Sequence, residues 1–218
     1  VYKRQDKYKP EYNDFNVLKD TKYCFVCVPT PDSDTGYDLT ALNDVMNILD
    51  QIKYTGIIIC KSTILPGTTQ KFINKYKDLQ ITHNPEFLTA KSAVKDFDEQ
   101  KHIIIGHENQ RHAEVLTNFF QKNFPAAEIS SCATNESESI KIFCNTFYAT
   151  KVQLFTEFKL MCDHNGTDYN LIKNLMFKNG WINPMHTNIP GPDGKISYGG
   201  MCFPKDITAL VRYAQSNK

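Results

Sequence analysis

A chain of 218 residues, 41% of them hydrophobic, is long enough to bury a substantial core in one domain or in two small ones. Its 25 basic and 24 acidic side chains are interspersed and leave a net charge of +1, which excludes the basic stripe of a nucleic-acid surface; nucleic acid is not an expected partner. No apolar run reaches the roughly 20 residues of a membrane-spanning helix, and the opening VYKRQDKYKPEYNDF lacks a secretory apolar core, so no membrane partner and a cytoplasmic location are expected.

The chain begins without Met, and its first strand-like run, KYCFVCV (22–28), arrives as though inside a larger fold; an internal piece of a longer protein is expected. Cys24 and Cys27 form a CxxC within that run, without turn residues or a second CxxC, which favours core packing over metal or redox chemistry. The seven cysteines, odd in number and mostly within apolar runs, read as free buried thiols, and no metal site is expected.

Next come the turn-rich PTPDSDTG and a helix over DLTALNDVMNILDQI, where Leu39, Leu42, Val45, Met46 and Leu49 recur at helical spacing behind Asp38 as cap. GIIIC (56–60) is a fully buried strand, followed by KSTILPG and a helix from about Thr68 to Lys77. ITHNPEF, HIIIGH, a helix around RHAEVLTNFF and a last strand near AAEISS extend the alternation, which predicts a parallel sheet covered on both faces. His102, His107 and His112 recur every five residues, a spacing that fits one face of neither helix nor strand, so they read as incidental.

From Asn135 to Asn165 no Pro or Gly interrupts the chain, which predicts one long helix with Asn135 and Glu138 as capping box and Gly166 as stop. A second helix over DYNLIKNLMF follows. The expected fold is α/β: a truncated Rossmann-like parallel sheet over residues 1–133, joined by the long helix to a small helical domain within 134–218.

Ligands of open α/β sheets bind at the carboxyl ends of strands, where three loops stand out: VPTP (with Pro29 and Thr30), KSTILPG (with Ser62 and Thr63) and NPEF. The hydroxyls read equally well as simple turn donors. Glu86, between Pro85 and Phe87 beyond a buried strand, is expected to be partly desolvated and suited to acid or base work, with a surface glutamate as the plainer reading. Lys141 and Asn145 are four apart on one helix face among the apolar Ile140, Phe143, Cys144 and Phe147, which suggests a ligand-facing pair or a solvated stripe. In YGGMCFPKD, Gly199 and Gly200 let backbone approach a ligand, and Pro204 opens a helix over PKDITALVRYA. Cys202 then sits at a helix N-terminus, where the helix end and Lys205 favour the nucleophilic thiolate.

VPTP, KSTILPGTT, NPEFL with the following Ala93 and Asp96-Phe97, the Lys141-to-Asn145 helix and YGGMCFPKD together resemble the UDP-glucose/GDP-mannose dehydrogenase family, collinearly over nearly the whole chain. The resemblance implies NAD as cofactor and a nucleotide sugar as substrate, oxidised in two steps through a thiohemiacetal and thioester on Cys202. The NPEFL and GPDG neighbourhoods lean towards UDP-glucose, oxidised to UDP-glucuronate. Carried over by position, Lys141 stabilises oxyanions, Asn145 orients the sugar, Asp206 with Thr63 positions water, and Glu86 assists hydrolysis. Pro29, Thr30, Ser62, Thr63 and Lys205 would lie along the cofactor. Glu86, Phe87, Leu88, Lys141, Asn145, Tyr198, Gly199 and Gly200 would lie along the substrate. The family pairs subunits through the long helix, which makes 134–218 a dimerisation domain and a homodimer the expected assembly.

Ala90 replaces a carboxylate of the family pattern and Trp181 an arginine, so cofactor and cross-subunit contacts are expected to differ. No GxGxxG turn occurs in the sequence, and the nucleotide pockets are expected to need segments beyond this piece, which alone is expected to be inactive. Two other readings stand beside this one: a non-catalytic dimerisation module, and a cysteine hydrolase with His186 as base, which lacks an evident orienting carboxylate.

Overall fold

The computed structural model describes residues 5–6, 8–34 and 36–217. The chain divides into two compact units, one ending at Ile142 and the other starting at Phe143.

In the first unit, short 3-10 turns at Pro10–Tyr12 and Phe15–Leu18 lead into β1 (Tyr23–Val26). The stretch read as a turn-rich loop contains a small antiparallel hairpin, β2 (Asp32–Ser33) with β3 (Gly36–Tyr37); its Thr35 lies outside the described residues. Then follow α1 (Thr40–Gln51), β4 (Ile57–Cys60), α2 (Thr68–Lys75), β5 (Gln80–His83), α3 (Ala93–Asp98), β6 (His102–Gly106), α4 (Gln110–Asn123) and β7 (Glu128–Cys132). Asp38 accepts the Thr40 N–H at 2.8 Å from one position ahead of the geometric cap, Leu39.

The five main strands form one sheet in the order β1-β4-β5-β6-β7. β4 is buried along its whole length, and its period-2 alternation feeds two cores. Ile58 and Cys60 pack with Leu42, Met46, Leu49 and Phe72. Ile57 and Ile59 pack with Ile103, Ile105, Leu116 and Phe120. Both faces are therefore covered, as the continuous apolar run of β4 requires.

The expected all-parallel sheet is corrected at one joint. β1, β4 and β5 run parallel, as do β6 and β7, but β5 and β6 meet antiparallel at His83 and Gly106. The connection between them is the NPEF loop and the six-residue α3, with no long crossover helix along the sheet.

The long helix is α5 (Thr134–Asn165), and it runs unbroken past Ile142. Gly166 ends it at φ +65°, with the Thr167 N–H donating to the Cys162 carbonyl at 2.9 Å, the left-handed stop that glycine adopts without a Cβ penalty. The proposed Asn135/Glu138 capping box is not the one that forms. Glu136 accepts the Ala133 N–H at 2.9 Å, and Glu108 accepts both the N–H and the hydroxyl of Thr134. Glu138 instead points at α2.

The second unit contains the rest of α5, α6 (Tyr169–Phe177) and α7 (Phe203–Ser216). Asp168 caps α6 by accepting the N–H groups of Asn170 and Leu171. Phe155, Cys162, Tyr169 and Ile189 form its small core.

Candidate active site

In the first unit, the loops leaving β1 and β4 are tied edge to edge. The Thr30 hydroxyl donates to the Thr63 carbonyl at 2.7 Å, and the Ser62 hydroxyl to the Val28 carbonyl at 2.6 Å. Thr30 and Ser62 are buried, Thr63 is half-buried and Pro29 is exposed. Both hydroxyl protons thus hold loop to loop, the turn-donor role that the sequence left open. Lys61 is anchored beneath them through Asn84, donating to its carbonyl at 3.1 Å and its side-chain oxygen at 2.7 Å; burial holds its ammonium below the ordinary lysine range. Asn84 in turn donates to the Ile104 carbonyl at 2.7 Å, so this Lys-Asn tie fixes the base of the NPEF loop. Sequence reasoning missed it, although an Asn-Pro pair directly after a buried strand was a legible signal for a loop-fixing amide.

Beyond Asn84 the loop presents Glu86. Its carboxylate accepts the Leu88 N–H at 2.7 Å and the Lys141 ammonium at 3.1 Å, and Lys141 also donates to the Glu86 backbone carbonyl. Glu86 is partly buried, its side chain 30% exposed, while that of Lys141 is only 5% exposed. The buried partner is the lysine, whose Nζ also lies 5.2 Å from the Phe87 ring centroid. Phe87 is exposed and Leu88 half-buried. The loop then closes on Asp96, which takes the N–H and hydroxyl of Thr89 and the hydroxyl of Ser92; these bonds hold its carboxyl below the usual range. Ala90 is exposed on that closed loop.

In the second unit, Cys202 is the N-cap of α7 and its side chain is exposed. The helix begins at Phe203, so Pro204 stands at its second position rather than its first. One turn on, Asp206 is 1% exposed, and its N–H donates to the Cys202 carbonyl at 3.0 Å. Its carboxylate accepts from the Asn145 amide at 2.6 Å and from the Lys205 ammonium at 2.6 Å. Lys205 is therefore ion-paired with Asp206.

Tyr198 is half-buried, and Gly199 and Gly200 are exposed. Gly200 sits at φ +78° with no atom within 4 Å of the place a methyl would take, so its need for glycine is conformational. Ser197, at φ +68°, pins this turn to α5: its N–H donates to the Thr156 hydroxyl at 3.0 Å and its hydroxyl to Gln153 at 2.6 Å. His186 stacks against Tyr148 and edge-on to Phe203, and burial with nearby Lys151 lowers its basicity. Among the described residues no carboxylate is bonded to it, which leaves the hydrolase reading without its third member.

The VPTP and KSTILP loops contain no carboxylate, and their tied backbones, with the Lys61 ammonium anchored beneath, form a carboxylate-free ledge at the strand ends that suits a nicotinamide and its ribose. The N-terminus of α2, which would otherwise attract a phosphate, is already held by Glu138. The residues present fit the nicotinamide end of the cofactor.

Comparison with known proteins finds one family along both parts of the chain. Residues 4–124 match the NAD binding domain of the UDP-glucose/GDP-mannose dehydrogenase family, and residues 135–218 match its central domain. The chain is 31% identical over 220 residues to UDP-glucose 6-dehydrogenase of Rickettsia bellii, covering 97% of this chain and 49% of that protein. It is 30% identical over 211 residues to UDP-glucose 6-dehydrogenase of Pseudomonas aeruginosa, covering 91% and 46%. A UDP-glucose dehydrogenase structure from Pyrobaculum islandicum superposes with a TM-score of 0.81 at 25% identity, over 92% of this chain and 48% of that one. The chain spans about half the length of the curated relatives it matches. With both of its parts matched in order by one family's domains, the chain belongs to the UDP-glucose/GDP-mannose dehydrogenase family.

Proposed function

We propose that this chain carries the cysteine-bearing core of an NAD-dependent dehydrogenase that oxidises UDP-glucose to UDP-glucuronate, with an NAD-binding domain over 1–133 and a central domain over 134–218. The observation that carries the reading is the exposed Cys202 at a helix N-cap, one turn from a buried carboxylate that two donors hold in place.

The alcohol loses a hydride and a proton to give an aldehyde. The Cys202 sulfur adds to the aldehyde carbon to give a thiohemiacetal, loss of a second hydride and of the hydroxyl proton leaves a thioester, and water releases the carboxylate and restores the thiol. Bound NAD supplies the hydride acceptor for each oxidation, so two are consumed per sugar. In the first unit, Pro29, Thr30, Ser62 and Thr63 hold the nicotinamide end. There Lys141 offers a fixed ammonium to a developing oxyanion, and Glu86 is the carboxylate for proton transfer during hydrolysis. Phe87 and Leu88 flank it against the sugar. In the second unit, Asp206 orients a water, Asn145 orients the sugar, Lys205 neutralises Asp206, and the turn at Tyr198, Gly199 and Gly200 lets the substrate approach backbone.

The test is NADH release in a chimera that joins this chain to the flanking segments of a relative. Two NADH per UDP-glucose, none with GDP-mannose and none after Cys202→Ala support the reading. A folded chimera that binds NAD and releases none overturns it. The unjoined chain, which has no GxGxxG turn to seat a pyrophosphate, is expected to be inactive.

A homodimer through α5 has its own support. Phe143, Phe147, Leu154 and Met161 are 59%, 63%, 49% and 60% exposed. Their spacing of four, seven and seven places them on one straight stripe of the helix, the seam that a second helix covers. If the chemistry proves absent, this stripe favours the dimerisation-module reading.

A further inference from the structure

Glu138 has no part in the scheme above, yet it is fully buried and both of its oxygens are used. Oε2 accepts the Gly67 N–H at 2.6 Å and Oε1 the Thr69 N–H at 2.7 Å. Gly67, at φ +90°, is the N-cap of α2 and offers no side chain of its own, so a carboxylate from another helix supplies the missing cap. The same carboxylate meets the positive end of α2.

Glu138 stands three residues before Lys141, so the two side chains project from neighbouring positions on the same side of α5. Ser137 adds a second anchor, bonding the ring of His83 at 2.8 Å. Behind it the sheet lies close: a methyl at Gly106 would fall 2.0 Å from the Ser137 hydroxyl. The opening turns of α5 are thus held against α2, β5 and β6, and Lys141 reaches the Glu86 loop from a helix that cannot rotate freely.

We propose that Glu138 is a positioning residue for Lys141: by gripping the N–H groups of Gly67 and Thr69 it fixes the rotation of α5 that delivers the Lys141 ammonium to Glu86. This rests on the reading of Lys141 as a group acting on the oxidised carbon. Gln at 138 would keep the size but set an NH2 against one of the two backbone N–H groups. Asp would keep the charge but reach only one of them.

The experiment acylates the intact chain with limiting acetic anhydride and reads each lysine by peptide mass spectrometry. Exposed Lys95 is the reference, and buried Lys173 reports loosening of the second unit. In Glu138→Gln, Lys141 labelling is expected to rise about tenfold relative to Lys95, with Lys173 unchanged and amide exchange at Gly67 and Thr69 faster; Glu138→Asp should fall between. Faster exchange at Gly67 and Thr69 with Lys141 labelling within about twofold of native would overturn the proposal, leaving Glu138 as a cap of α2 alone. If the Gln variant does not fold, the Asp variant decides by the same comparison. In the active chimera, Glu138→Gln should lower kcat by about 10- to 100-fold with KM within about threefold, and Asp should restore part of it. A native chimera without turnover would refute the proposed function, while the labelling would still decide the role of Glu138.

Discussion

The side-chain amide of Asn145 donates to the carboxylate of Asp206 at 2.6 Å, with both residues buried, and so ties α5 to α7 through a polar bond inside the second unit. Taking a donor away from a buried carboxylate costs more than an average hydrogen bond contributes. Asn145→Ala is expected to lower stability by about 1–3 kcal/mol, measured by urea unfolding. Lys205→Ala should cost at least as much, because it leaves a carboxylate only 1% exposed without its counter-charge.

Cys202 should behave in the opposite way. It is exposed and makes no side-chain capping bond, so Cys202→Ala is expected to shift stability by no more than about 0.5 kcal/mol. Sugar oxidation in the chimera should nevertheless fall to background. An unfolding curve and an NADH assay on the same preparation separate the two effects.

His83 predicts a pH dependence. Burial, with Lys61 and Lys141 nearby, pushes its pKa from the ordinary 6.5 down to about 3. The unfolded chain therefore binds a proton between those values that the folded chain refuses. Stability from this residue is fully present above about pH 6.5 and declines as pH falls towards 3, with a slope near 1.4 kcal/mol per pH unit. The Ser137 hydroxyl donates to the Thr134 carbonyl at 2.9 Å, so it accepts from Nδ1–H of His83, and Asn can offer a donor at a similar place. Urea titrations of the native chain and His83→Asn between pH 7 and 4 should diverge by this slope.

Two glycine-to-alanine changes should fail for different reasons. At Gly106 the new methyl meets Ser137 at 2.0 Å and 2.8 Å, and overpacking should cost about 1–3 kcal/mol. At Gly200 nothing lies within 4 Å, and the cost of about 1 kcal/mol comes from the left-handed backbone alone. Unfolding midpoints rank the two. A second-site Ser137→Gly should recover part of the first loss and none of the other.

The exposed stripe of α5 predicts its own disruption. Phe147→Glu with Leu154→Glu should convert a dimer to a monomer by light scattering. The secondary structure of the single chain should be unchanged, since both side chains already face solvent.

Local sequence was enough for most elements and several exposed features. The apolar run at 57–60 had to be a doubly covered strand, the Leu42, Met46 and Leu49 spacing had to be a helix, and Gly166 had to end α5, because these depend on local period and backbone freedom. Cys202 at a helix start was likewise legible from Pro204 two residues on. Where charged and polar side chains found partners was settled by the tertiary fold. Glu138 looks like a cap for its own helix, but the helix it caps begins seventy residues earlier in the chain, at Thr68. Asp206 follows Lys205 in sequence, yet its other donor, Asn145, comes from sixty-one residues earlier. The antiparallel joint of β6 with β5 was set by the tertiary fold, since the alternation of strands and helices read the same on both sides of it. Period and propensity act over one or two turns, whereas a buried charge is satisfied by whichever donors the whole fold brings to it.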